Sequence, residues 1–263
     1  MDSVARLIAE TYRWQRPLGA RVFATPHCCV VADAAHPDVW DANHADNVTA
    51  KTEAEIQAVF AAMDRRLGHT PWRVVHSDCL TSDKFLARLA LDDFEERFVA
   101  IQMALEGDVA DRGAPVELRP VMTDGDRDAL LRLVMANHAE RRDIDGFDFP
   151  SEFSAAMVET YRAKGDAYHF HLTIEGGVPI AYGGYAAAPN GVGMIEDLFT
   201  LPSARRRGVI TGVIATFVDR LRASGCRPIV IVALANERPK HLYARLGFRP
   251  VTLARTRTRK LPD

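Results

Sequence analysis

The sequence predicts an α+β protein in which a twisted, mostly antiparallel mixed sheet is flanked by helices, and in which this arrangement occurs twice along one chain. Three observations carry that reading. Apolar stripes of helical period alternate with short β-rich runs along the chain. Gly176-Gly177 and Asn190-Gly191 sit between β-rich runs, where hairpin turns favour such residues. The order helix, strand, helix, strand from residue 52 to 105 returns from Val209 to Arg257.

Each element follows from its residues. Ile56, Val59, Phe60, Met63 and Leu67 form one helical stripe over residues 52 to 67, stopped by Gly68. Trp72 to His76 reads as a strand, and Ser82 is a side-chain cap for a helix running to about Glu95. Phe98 to Met103 is a second strand. The polar stretch from Gly107 to Pro115 then reads as a linker, which predicts domains at 1–113 and 114–263. After it come a strand at Val116 to Val121, helices at Asp126 to Arg142 and Ser151 to Ala163, and strands at 168–174, 178–187 and 192–201. A helix from Val209 to just before Gly225, a strand at Ile229 to Ala233, a short helix from Glu237 and a strand from Phe248 to Arg257 complete the order β-α-α-β-β-β-α-β-α-β.

Composition bounds the function. The chain is 48% apolar and 26% charged, enough to bury a substantial core, and its formal charge of -2 argues against a surface given over to nucleic acid or anionic membrane. Residues 1–115 hold 12 Lys+Arg and 18 Asp+Glu, and the remainder 21 and 17, so the halves carry 12 − 18 = −6 and 21 − 17 = +4. An anionic ligand therefore belongs with the C-terminal half. The N-terminus lacks a signal-peptide pattern and no apolar run reaches membrane-spanning length, which predicts a cytoplasmic protein without membrane contact. Cys28, Cys29, Cys79 and Cys226 lack disulfide-framework or zinc spacing and read as reduced thiols. His36, Asp38, Asp41 and His44 show no helical i, i+4 histidine pair with a flanking Glu, so no metal is expected.

The sharpest segment runs from Glu196 through Asp197, Leu198, Phe199 and Thr200 to Pro202, then Arg205-Arg206-Arg207-Gly208-Val209. A strand, a basic turn and an apolar-striped helix in this order aim successive main-chain N–H groups and the positive end of a helix dipole at one point, which suits phosphate. Gly208 lets backbone approach the ligand with no Cβ in the way. The segment is not a Walker loop, because it has no Lys-Ser/Thr pair. Nor is it a dinucleotide fingerprint, because Gly191 and Gly193 precede a strand. A second segment, Asn236 to Phe248, carries Asn236, Leu242, Tyr243, Gly247 and Phe248.

Together the two segments resemble the GCN5-related N-acetyltransferases, whose pattern is a strand ending V-x-P, a turn R-x-x-G-x-G/A, and later N-x-x-A-x-x-L-Y-x-x-x-G-F. Pro202, Arg205, Gly208, Asn236, Leu242, Tyr243, Gly247 and Phe248 match in spacing; Ile210 and Pro239 depart, standing for a small residue and an alanine. The resemblance covers about residues 116 to 259. It implies two tandem domains of that fold, with acetyl-CoA as cosubstrate held by Leu198, Phe199, Thr200, Arg205, Arg206, Arg207, Gly208, Val209, Ile210, Asn236 and Tyr243. The N-terminal copy reads as degenerate: Asn47 to Thr52 has no glycine and one cation, and Asp93 stands where the other half has Gly247. One cofactor site is expected.

The resemblance implies acetyl transfer to a primary amine, and a lysine-like amine of pKa about 10.4 is neutral only about once in 2,500 at pH 7. A base is needed. By the strand period Glu196 and Asp197 point to opposite faces, and the family resemblance favours Glu196 as base, with Asp197, His169 and His171 lining the substrate site and the histidines in reserve. Main-chain N–H groups near Phe199 to Leu201 are candidates for an oxyanion, and Tyr243 stands at the general-acid position. Arg255, Arg257 and Arg259 alternate along the last strand and so share a face; they read as edge-strand charge that blocks aggregation, with contact to an anionic substrate or nucleic acid as the alternative. The acceptor is expected to be a small-molecule amine and the protein a monomer or homodimer without nucleic acid. A protein N-acetyltransferase, or a non-catalytic acyl-CoA-binding or regulatory module, are the alternatives.

Overall fold

The structure, a computed structural model, describes residues 3–145 and 151–262. The chain divides into two compact units: Met1–Gln102 with Ala233–Lys240 and Pro250–Asp263, and Met103–Val232 with His241–Arg249. The expected division at 113/114 is continuous in sequence, whereas these units are not, since the C-terminal strand counts with the first.

The first unit starts with helix α1 (Ser3–Gln15), which buries Ala5, Ile8, Ala9 and Tyr12 on one side. Short strands β1 (Val22–Ala24), β2 (Cys29–Val31) and β3 (His44–Asp46) follow, with a 3-10 turn at Trp40–Ala42. The three short strands have no pattern long enough to read, whereas α1 has one in Ala5, Ile8, Ala9 and Tyr12 that the sequence reading missed. Helix α2 (Glu53–Arg66) begins with a capping box: Thr52 Oγ1 accepts from the Glu55 amide, while the Glu55 carboxylate accepts from the amides of Lys51 and Thr52. Strand β4 (Trp72–Ser77), helix α3 (Asp83–Leu91, capped by Ser82) and strand β5 (Glu95–Leu105) fall where expected, although α3 ends four residues short of Glu95. The last strand, β11 (Arg249–Lys260), pairs antiparallel with β4, and the order in this unit is β1-β2-β3-β4-β11-β5. The edge-strand reading of β11 is therefore corrected. Arg255 and Arg257 pair with Glu96 at 3.1 and 2.7 Å, and Arg259 lies over the Phe94 ring.

The second unit contains β6 (Glu117–Pro120), α4 (Asp124–Asp145), α5 (Ser151–Ala163), the hairpin β7 (His169–Glu175) and β8 (Val178–Ala187), β9 (Gly193–Thr200), α6 (Val209–Ala223), β10 (Ile229–Leu234) and α7 (Pro239–Arg245), of which Ala233, Leu234, Pro239 and Lys240 count with the first unit. Strand order is β6-β7-β8-β9-β10. Gly176 and Gly177 both have positive φ, 56° and 81°, as a two-residue hairpin turn requires. On α6, Val213, Phe217, Val218 and Leu221 are fully buried, the stripe that the sequence showed.

Both units use the same local devices. In each, one strand pairs parallel with the strand after the helix, Ala45 opposite Val75 and Ile195 opposite Ile231. Two positions later the backbone turns left-handed, at Asn47 (φ 56°) and Asp197 (φ 54°). Farther on, Asp93 (φ 59°) and Gly247 (φ 104°) end α3 and α7 in the same way, and the next amide reaches back five residues: Phe94 to the Leu89 carbonyl, Phe248 to the Tyr243 carbonyl. The repeat is one of backbone conformation, beneath almost complete change of side chains.

Candidate active site

The centre of the second unit is a bulge in β9. Glu196 faces Gly184 and Phe199 faces Tyr182, so Asp197 and Leu198 together oppose the single Gly183. This overturns the expectation that Glu196 and Asp197 point apart. Directly opposed residues on antiparallel strands share a face, and a Cβ on Gly184 would lie 2.3 Å from the Tyr168 ring, so Glu196 projects on the Tyr168 face. The bulge brings Asp197 to that face as well, where its carboxylate accepts from the hydroxyls of Tyr168 (2.9 Å) and Tyr161 (3.3 Å). Tyr168 is buried, and its ionisation is pushed well up by burial first, then by the charges of Asp197 and Glu196. It therefore stays a hydrogen-bond donor. The two tyrosines were invisible as site residues in the sequence, because nothing in a strand pattern announces a bulge.

His169 and His171 share a face, since both rings lie against Tyr185, at 5.0 and 5.5 Å. That face is the α6 side, opposite Tyr168 and the two carboxylates: His171 packs edge-on to Phe217 and its Nε2 accepts from Arg220 Nη1 at 2.7 Å. Burial and the Arg220 charge lower its pKa to about 4. The structure thus does not bring either histidine to Glu196, and His171 is committed to a structural contact.

After β9 a short 3-10 turn at Pro202–Ala204 leads into the basic turn. Arg206 (φ 62°) and Gly208 (φ 77°) are both left-handed, flanking Arg207, a backbone pattern that curls successive N–H groups into a concave surface. Gly208 is the N-cap of α6 and offers no side-chain acceptor, so the first amides of the helix, from Val209 onward, are not capped from within. The side chain of Arg205 does other work: it forms a two-pronged ion pair with Glu140 (2.8 and 2.5 Å), while its Nε donates to the Thr200 carbonyl at 2.9 Å. Arg207 pairs with Glu175. Leu201 donates its amide to the Ile180 carbonyl at 2.9 Å, which removes it from the expected oxyanion donors and leaves the bulge at Asp197 and Leu198 as the place where β9 departs from its ladder.

Two further glycines were missed. A Cβ on Gly212 would stand 2.0 Å from the Ala114 carbonyl, and one on Gly113 would stand 2.5 Å from the Gly208 carbonyl. The segment Gly113-Ala114 thus lies directly on the first turn of α6. A glycine inside a helical stripe was the available signal, because it costs about 1 kcal/mol against alanine unless something needs the space. Tyr243 is buried on α7 with its ring 6.4 Å from Phe248. Asn236 lies in the turn before α7, in the part of the chain grouped with the first unit.

The corresponding corner of the first unit cannot serve the same purpose. Thr52 follows Asn47 by five positions, whereas Gly208 follows Asp197 by eleven, so the basic turn has no room to exist. The helix amides there are taken by Thr52 and Glu55, and Glu53 and Glu55 place negative charge at the dipole's positive end. Leu89 occupies the backbone position of Tyr243. Among the described residues no group of three or more His, Cys, Asp or Glu is placed to hold a metal ion, and no helix is long and apolar enough to cross a membrane.

A bulged strand, a left-handed basic turn and a helix start without a side-chain cap thus follow one another, beside the parallel pair of β9 and β10. Comparison with known proteins names the arrangement: residues 138–248 match the acetyltransferase (GNAT) family, so the chain carries a GNAT domain over that span. Among solved structures, a GCN5-related N-acetyltransferase from Kribbella flavida superposes with a TM-score of 0.68 at 18% identity, over 98% of this chain and 96% of that one. A functionally unknown conserved protein from Staphylococcus epidermidis gives 0.67 at 12% identity over 93% and 96%. A tandem GNAT protein from the clavulanic acid biosynthesis pathway gives 0.59 at 11% identity over 84% and 76%. These likenesses extend the fold to nearly the whole chain. No curated protein matches it in sequence.

Proposed function

We propose that the protein is an acetyl-CoA-dependent N-acetyltransferase acting on a primary amine of a small molecule, with one active site in the C-terminal GNAT domain and a degenerate N-terminal copy. The observation that carries the proposal is the junction of β9 and α6, where a bulge bearing two carboxylates is followed by left-handed Arg206 and Gly208 and a helix start without a side-chain cap. The residues fit the diphosphate of the coenzyme: the main chain of Arg206, Arg207, Gly208, Val209 and Ile210 would hold it, and the bound coenzyme would supply a thioester-activated acetyl group. Leu198, Phe199 and Thr200 would run beside its arm.

Glu196 takes the proton from the ammonium form of the acceptor, so that the amine reacts neutral. Asp197 holds the bulge, its carboxylate gripped by Tyr161 and Tyr168, and thereby aims the main-chain amide of Leu198 into the site. Tyr243 hands a proton to the departing sulfur. His169 and His171 take no part as bases.

The test is thiol release with acetyl-CoA and a panel of small amines. Glu196→Gln should lower kcat by about 10²- to 10⁴-fold with the KM for acetyl-CoA within about threefold. Tight coenzyme binding with no turnover on any amine would replace this reading with that of a binding module.

A further inference from the structure

We infer that the N-terminal unit holds a recognition site for a protonated primary amine, formed by Trp40, Trp72, Phe98, Asp41 and the imidazoles of His44 and His76. Trp72 and His76 are four apart on β4 and so share a face, opposite to the one on which Arg73 is tied to Asp64 of α2. Trp40 meets Trp72 edge-on at 5.2 Å and Phe98 at 6.2 Å, and all three rings are only half-buried. Aromatic faces of this kind attract organic cations.

Next to the rings lies an unusual polar pair. His44 and His76 stack edge to face at 4.6 Å, both more than nine-tenths buried. The His44 Nδ1–H donates to the Trp40 carbonyl at 3.2 Å, which makes its Nε2 an acceptor; the His76 Nδ1 is engaged with Thr256 Oγ1 at 3.0 Å. Each Nε2 is buried without a hydrogen-bond partner in the protein. A buried ring nitrogen left in this condition costs stability unless a partner meets it, and for the His44 Nε2 that partner is a donor.

Charge selects the donor. Asp41 Oδ1 stands 3.8 Å from the His76 Nε2, and the Asp41 side chain is two-thirds exposed. Among the described residues no Lys or Arg lies within ion-pair distance of Asp41, whereas Asp46 is paired with Arg16 and Asp78 with Arg13. Burial holds both imidazoles neutral. An ammonium with N–H donors suits the rings, the carboxylate and the His44 Nε2 acceptor; an anion meets Asp41, and a quaternary ammonium has no donor for that nitrogen.

The measurement is titration calorimetry of the full chain, without acetyl-CoA, using propylammonium chloride against tetramethylammonium chloride and potassium chloride at equal ionic strength. Saturable propylammonium binding is expected, at least tenfold tighter than tetramethylammonium, and at least tenfold weaker in Asp41→Asn and in Trp72→Leu. Asp41 is exposed, so its variant tests the site even if Trp72→Leu misfolds. Ring-nitrogen NMR should show the His76 Nε2 resonance moving on titration. Absence of saturable binding, equal affinity in Asp41→Asn, or equal affinity for tetramethylammonium overturns the inference. No turnover enters the measurement, so its failure leaves the acetyltransferase proposal standing, and the reverse.

Discussion

Asp197 shows how much one residue can decide. A non-glycine residue at φ 54° is uncommon, and it persists here because two tyrosine hydroxyls hold its carboxylate. Tyr168→Phe removes the shorter of those bonds without opening a cavity. We expect kcat to fall about tenfold or more while the KM for acetyl-CoA stays within about threefold, because a bulge that relaxes misaims an amide without touching the coenzyme turn. Steady-state kinetics on both substrates check this; a change confined to the coenzyme KM would refute it. Gly184 is the companion residue, since a Cβ there would drive into the Tyr168 ring.

Among the elements, helix ends divide the two halves more clearly than helix bodies do. α2 finishes its own N-terminus with Thr52 and Glu55, while α6 starts at Gly208 without a side-chain cap. At the other end of the repeat, Asp93 adopts the left-handed turn that Gly247 adopts without a Cβ penalty. Asp93→Gly should therefore raise stability by about 0.5–1 kcal/mol, read as an increased midpoint in urea at unchanged slope. Gly212→Ala should do the opposite: a methyl 2.0 Å from the Ala114 carbonyl forces the linker off α6, at about 2 kcal/mol or more, with weakened acetyl-CoA binding in the same variant.

The element order of the second half was legible in the sequence because its patterns are long: the α6 stripe, the Gly-Gly hairpin and the α4 and α5 periodicity all stand at or within a few residues of their expected limits. In the first 50 residues β1, β2 and β3 were not, since strands of three residues carry no period to detect; α1 does carry one, Ala5, Ile8, Ala9 and Tyr12, and was missed. The carboxylates and the basic turn were legible by their order along the chain. Their facing was not, because an inserted residue reverses alternation and leaves no mark in residue type. The tyrosine pair comes from α5 and the start of β7, a contact of tertiary structure alone.

For the whole molecule, acid should unfold the protein through histidines buried in neutral form. His138 and His171 both sit near pKa 4, His138 chiefly by burial and then by the Arg141 charge, against about 6.5 unfolded. Between those values the unfolded chain binds more protons, so stability falls as pH drops from about 6.5 to about 4, by on the order of 2–3 kcal/mol for each group. Urea midpoints measured across that window should fall steadily, and His138→Gln should flatten the slope; a flat profile in the natural sequence would contradict the assignment.

The pairing of β11 with β4 joins residues about 180 positions apart, Thr256 to His76 among them. Synthesis delivers β11, an interior strand of the first unit's sheet, only after β4 and the elements from α3 to α7 have been made. Until then β4 has β3 on one flank and a bare ladder on the other, a surface on which nascent chains can associate. An expression product cut at residue 113, though it looks like a domain in sequence, would keep that wound permanently, and supplying residues 249–262 as a separate peptide should heal it.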